Sequence, residues 1–69
     1  MTPAIAREIV KELGIKQVDI ADEMSQLGDA NYTPQLVNSW LREGGRGPSV
    51  AFVIYLRMKQ QIAALEAGA

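Results

Sequence analysis

Apolar residues recur along this chain at helical spacing, in four runs separated by glycine, proline and other turn-forming residues. Thr2-Pro3 offers a hydroxyl cap and a proline for a first helical position. Ile5, Ile9 and Leu13 follow at every fourth residue with Val10 beside them, so a first helix is expected to bury that stripe and stop at Gly14. The second run predicts a helix over roughly Gln17–Gln26. Ile20, Ala21, Met24 and Leu27 lie on its inner side, and Asp19, Asp22 and Glu23 lie outside it. Gly28-Asp29-Ala30-Asn31 carries turn chemistry, after which Tyr32 is a candidate to tuck into the core. Thr33-Pro34 repeats the start signal, and a third helix is expected to run to about Glu43. Gly44-Gly45-Arg46-Gly47-Pro48 breaks it, and Ser49 can open a last helix over about Val50–Glu66.

The start of that last run is ambiguous. The β-branched and aromatic content of Val50 to Tyr55 would suit a strand, whereas the helix formers from Arg57 to Leu65 favour a helix, which is the expectation adopted. Val50, Val53, Ile54, Met58, Ile62 and Leu65 then form one stripe, and Phe52, Tyr55, Leu56 and Ala63 widen it. A small core needs a single stripe. The surplus predicts a second buried contact, most simply a homodimer through the C-terminal helix, unless the first helix and the linker loop cover it.

Sixty-nine residues allow one domain, 1–69, and one modest core. With no cysteine there is neither a disulfide framework nor a thiolate metal site, and with no histidine the commonest general base and metal ligand is missing. No metal or cofactor is expected. The carboxylates Asp19, Asp22 and Glu23 lack a nucleophile or metal partner and read as a solvated face, so an enzyme is not expected. The N-terminus lacks a basic start before a long apolar run, and Val50 to Leu56 is far shorter than the ~20 residues a bilayer span requires. The expected location is the cytoplasm, away from membranes.

A net charge of −1 is unlike a generally basic nucleic-acid binder, but the charges are unevenly spread. Residues 1–29 carry a net −3, whereas residues 30–59 hold Arg42, Arg46, Arg57 and Lys59 against Glu43 alone. Chance can produce such a split in a short chain. It would also let one face meet an anion while another stays acidic.

The third helix adds chemistry to this asymmetry. Leu36, Val37, Trp40 and Leu41 fall on one side, and Gln35, Asn38, Ser39 and Arg42 on the other. Amides can bond adenine edges, and arginine can grip guanine or a phosphate. An ordinary solvated face can have the same composition, so the preceding helix matters.

There, Gly14-Ile15-Lys16-Gln17-Val18-Asp19-Ile20-Ala21 resembles the opening of the helix-turn-helix in the Cro/CI repressor family, in which Gln, two residues, an aliphatic and Ala recur. Val37-Asn38-Ser39-Trp40-Leu41-Arg42-Glu43-Gly44-Gly45-Arg46-Gly47-Pro48-Ser49 is also similar to that family, whose recognition helix precedes a Gly-rich, Arg-containing turn ending in Pro-Ser. The resemblance covers about half the chain. It implies an all-α, compact four- or five-helix bundle of the lambda-repressor-like kind, from a phage or bacterial regulator. It further implies that Gln17 touches a phosphate, that Thr33 opens a recognition helix lying in the major groove, and that Gln35, Asn38 and Ser39 meet bases. Arg42 and Arg46 would meet the backbone, with Ala21, Val37 and Trp40 in the core.

Two departures stand out. Thr33 lies twelve residues beyond Ala21, about six more than the family's usual turn allows. Lys16 stands where a capping Thr or Ser is common, opposing the helix dipole by ~0.3–1 kcal/mol. A phosphate at that corner would reverse the penalty; a plain solvated lysine is the alternative. The resulting expectation is a duplex-DNA-binding regulator that represses as a Cro-like dimer by covering an operator. The alternative is a protein-interaction module on the same fold, such as an antirepressor, antitoxin or phage assembly adaptor.

Overall fold

The computed structural model describes residues 1–28, 30–45 and 47–68. Among them are four α-helices and no strand: α1 (Pro3–Leu13), α2 (Gln17–Gly28), α3 (Pro34–Leu41) and α4 (Val50–Ala67). Three helices begin with a side-chain hydroxyl. Thr2, Thr33 and Ser49 are extended, and their oxygens accept the N–H of Ile5, Leu36 and Phe52, each at 3.2 Å. Each bond satisfies a donor that the first turn leaves open. The hydroxyl at Ser49 also starts Val50 to Tyr55 as helix, despite its β-branched content.

The helix ends follow from local geometry too. Gly14 takes the left-handed conformation, φ 67°, and its N–H donates to the Lys11 carbonyl while the Ile15 N–H reaches the Val10 carbonyl. α3 ends at Leu41, two residues before the expected end at Glu43, and Arg42 beyond it is extended, φ −89° and ψ 134°. The cause is the tight turn behind it. The Gly45 N–H donates to the Arg42 carbonyl, and a Cβ on Gly45 would stand 2.5 Å from the Ser39 carbonyl oxygen. No continuing helix could bring the chain back so closely.

α3 packs on α2 and α1, and α1 also packs on α4. The core takes Ala6 and Ile9 from α1, Ile20, Ala21 and Met24 from α2, Val37, Trp40 and Leu41 from α3, and Phe52, Tyr55 and Leu56 from α4. Trp40 is its centre: its indole stacks on Phe52 with centroids 4.9 Å apart, and Tyr32 meets it edge-on at 5.8 Å.

The buried rows differ from the expected stripes in two helices and at single positions in two others. In α4 the inner row is Phe52, Tyr55 and Leu56, while Val50, Ile54, Met58, Ile62 and Leu65 face solvent. Both rows are apolar at helical spacing, and the aromatic stack on Trp40 selects the row with the larger rings. In α1 the inner position belongs to Ala6, whose small side chain allows close approach, and Ile5 is exposed. Leu27 and Leu36 are likewise exposed rather than inward.

The long connection is shorter than the sequence suggests, because α2 continues to Gly28. Ser25 then fastens the far side. Its hydroxyl donates to the Ala21 carbonyl at 2.8 Å and accepts the Tyr32 N–H at 2.9 Å, so Tyr32 returns against the core. No described helix is long and apolar enough to cross a membrane.

Candidate nucleic-acid interface

With Val37, Trp40 and Leu41 pinned inside, α3 is fixed in rotation about its axis. Gln35, Asn38 and Arg42, spaced three and four apart, must therefore point outward, and all three are exposed. They do not stand alone. Gln17, at the start of α2, reaches α3, where its Oε1 accepts a long hydrogen bond from Asn38 Nδ2 at 3.4 Å. Gln17, Pro34, Gln35, Asn38 and Arg42 together line a shallow groove. A neighbouring hollow shares Gln17, Asn38 and Arg42 and is completed by Leu41 and Arg7.

Both depressions are lined by amides and guanidinium groups, with no carboxylate among the residues that line them. The Gln17–Asn38 bond uses one donor and one acceptor, leaving each amide able to bond an outside group. Lys16 stands exposed at the head of α2, where its carbonyl accepts the Ile20 N–H. Asp19 in the first turn offsets the lysine's unfavourable placement on the helix dipole.

The expected site residues do not all converge. Gln17, Gln35, Asn38 and Arg42 come together, with Lys16 next to Gln17 in the chain. Thr33 is exposed at the mouth of α3, but its hydroxyl is already committed as the helix cap. Ser39 does not join the groove. It is half-buried, its hydroxyl donates to the Leu36 carbonyl at 2.6 Å, and it sits with Leu36, Arg42, Gly44 and Gly45 in a separate hollow. Its 40° offset from Gln35 around the helix, at ~100° per residue, turns it toward the glycine turn. Arg46 lies outside the described residues.

Two residues enter that sequence reasoning did not single out. Arg7 belongs to α1, and only the packing of α1 on α3 carries it to the hollow. Nothing in its local sequence marks that role. Its Nη2 donates to Glu43 Oε1 at 3.2 Å, across the turn that follows α3. Leu36 is 39% exposed at the edge of the polar face, and its position one step from Gln35 was the available signal. An apolar side chain there suits a thymine methyl.

The other basic residues serve elsewhere or stand apart. Lys59 donates to both carboxylate oxygens of Glu23, at 3.0 and 3.2 Å, and Tyr55 Oη donates to the same carboxylate at 3.1 Å. Lys59 holds the Glu23 carboxyl below its usual range against partial burial, and the Tyr55 bond adds to that effect. Burial, reinforced by Glu23, pushes the Tyr55 phenol well above its ordinary value. This trio ties α2 to α4 and takes Lys59 out of the supply of free cations for an anion. Among the described residues, no group of three or more histidine, cysteine, aspartate or glutamate side chains could hold a metal ion. No protein family matches the chain, and neither a curated protein nor a solved structure is significantly similar to it.

Proposed function

We propose that this chain is a helix-turn-helix protein of the Cro/CI kind that reads duplex DNA through α3 and represses transcription, as a homodimer, by covering an operator. One observation carries the reading: Gln35 and Asn38 project from α3, with Arg42 at its C-terminal cap, above a buried Trp40 and beside Gln17 of α2. In this reading α2 and the outward face of α3 form the motif, with a connection longer than usual closed by Ser25. Gln35 and Asn38 contact base edges, Leu36 contacts a thymine methyl, and Arg42, Arg7, Lys16 and Gln17 contact phosphates. Ser39 and Thr33 support α3 rather than read sequence. The work is binding and not catalysis, and it takes place where DNA is, in the cytoplasm of a bacterial host.

The modest charge makes a quantitative demand. Three cations per protomer (Arg7, Lys16 and Arg42) give a salt slope of about −2.7 per half-site, since each neutralised phosphate contributes ~0.9. Selection from a random duplex pool, followed by titration at several salt concentrations, tests both parts. The expected result is a two-fold symmetric sequence bound with a slope near −5 for the dimer. Arg42→Ala is expected to weaken binding to all duplexes and flatten the slope by about 1. Gln35→Ala or Asn38→Ala is expected to cost ~1–3 kcal/mol at the selected site and much less on scrambled DNA. Equal losses on both duplexes for all three variants would refute the assignment of roles, and no binding to any duplex would refute the function.

A second reading has its own support in the exposed apolar row of α4, which suits a protein-interaction module such as an antirepressor, antitoxin or phage assembly adaptor. A stoichiometric complex with one protein, formed at the expense of DNA binding, would favour it.

A further inference from the structure

The side of α4 that faces away from the core is apolar from end to end. Ala51, Ile54, Met58, Ile62 and Leu65 recur at steps of three and four and make one row, in which Ile54 and Leu65 are 63% and 69% exposed. The two halves of this row differ. Ala51, Ile54 and Met58 form one wall of an apolar groove whose other lining is Met24 and Leu27 of α2 together with Tyr32. The second half stands clear of the body, since every described residue from Gln60 onward is exposed. One helix face thus carries a groove and, two to three turns later, a ridge.

We propose that this face is the interface of a two-fold dimer in which the α4 helices run antiparallel and each Leu65 seats in the partner's α2–α4 groove. The register follows from the row itself: Met58 lies opposite the partner's Ile62, and the axis passes midway between them, at the level of Gln60. This arrangement rests on the homodimer reading above and specifies its geometry.

Two arguments favour a second copy over another occupant. The first is self-complementarity: a two-fold contact must pair one surface patch with itself, and an antiparallel pair fills both grooves with both ridges at once. A parallel pair sets ridge against ridge. The second argument is area. The chain exposes 4799 Å², against roughly 4200 Å² for a compact monomer of its mass. Leu27, Ile54, Met58, Ile62 and Leu65 present on the order of 500 Å² of surface, over half of the ~800 Å² that each partner gives to a standard interface. Either half of the row alone falls well short. The groove also lies at the C-terminal end of α2, about 15 Å along the helix from Gln17, so pairing leaves the reading groove open.

The absence of cysteine permits a direct test on the full 69-residue chain. Sedimentation equilibrium is expected to give a dimer, and Leu65→Glu is expected to raise its dissociation constant at least ~100-fold. Leu65 lies outside the core, so this variant should keep the helical circular dichroism of the parent. When a Met58→Cys chain is mixed with an Ile62→Cys chain and oxidised, the mixed 58–62 disulfide should form ahead of either self-linked product. A monomer at every concentration would overturn the proposal, whether the row is bare or suited to a different protein. So would a Leu65→Glu dimer as tight as the parent, or faster linkage of Ile62→Cys to itself. None of these readouts involves DNA. Intact dimerisation without DNA binding would count against the proposed function alone, and DNA binding by a stable monomer against this geometry and the homodimer reading it rests on, while leaving DNA recognition through α3 standing.

Discussion

Trp40 decides more than any other single residue, because its stack on Phe52 sets both the rotation of α3 and the inner row of α4. Trp40→Ala is expected to cost ~3–5 kcal/mol. That approaches the whole stability of so small a chain, at ~0.05–0.15 kcal/mol per residue, so circular dichroism at 25 °C should show it largely unfolded. Glu23 sets the pH dependence. Its carboxyl titrates lower in the folded chain than its ordinary 4.5, so its contribution is whole above that value and is lost as pH falls through the folded one. Tyr55 has the opposite sign: its folded value is raised, so its contribution holds below about 10 and disappears as pH climbs toward that raised value. Glu23→Gln should therefore lower the melting temperature at pH 7 and make the acid limb of the melting profile shallower. An unchanged acid limb would show that the trio contributes nothing to stability. Arg7 and Glu43 are both well exposed, at 49% and 77% of their side chains, so their bridge is worth ~0–1 kcal/mol to the fold. Its effect should appear in binding instead. If the proposed function holds, Glu43→Gln removes the carboxylate that competes with phosphate for Arg7 and is expected to tighten DNA binding up to about fivefold at low salt, with melting little changed.

Helix starts were legible in the sequence because capping is local. Thr2-Pro3, Thr33-Pro34 and Ser49 act within one turn, and each caps the helix it was expected to begin. Thr33→Ala should accordingly cost ~0.5–2 kcal/mol in chemical denaturation. Helix ends were read less well where a distant contact intervenes. The Gly14 stop is written in one glycine, whereas the early end of α3 depends on Gly45 returning against the Ser39 carbonyl. Gly45→Ala is expected to destabilise the fold by ~1–3 kcal/mol through that crowding and, under the proposed function, to weaken DNA binding by displacing Arg42. The outward set of Gln35, Asn38 and Arg42 was also legible, since helical periodicity alone separates it from Val37, Trp40 and Leu41. The inner row of α4 was not. Two apolar rows satisfy the same periodicity, and choosing between them requires knowing that Trp40 meets Phe52. Arg7 was invisible for a related reason: its bonded partner Glu43 and its neighbours Asn38, Leu41 and Arg42 lie more than thirty residues further along the chain.

For the molecule as a whole, α2 acts as a strut between two surfaces of opposite character. Its head contributes Gln17 to the polar groove beside α3, and its tail walls the apolar groove beside α4. The charge asymmetry of the sequence survives in part: Arg42 and Arg7 share one hollow, although Arg7 comes from the acidic half and Lys59 from the basic half is spent on Glu23. The bond made by Ser25 has a practical consequence. Because one hydroxyl bonds both the Ala21 carbonyl of α2 and the Tyr32 N–H, Ser25 holds the two ends of the connection together whatever its length. It can serve as a splice point. A dozen Gly/Ser residues inserted between Ala30 and Asn31 should cost only ~1 kcal/mol in closure entropy and leave the DNA preference unaltered. With Ser25→Ala in the same chain, the insertion should cost markedly more, because the loop ends would no longer be held.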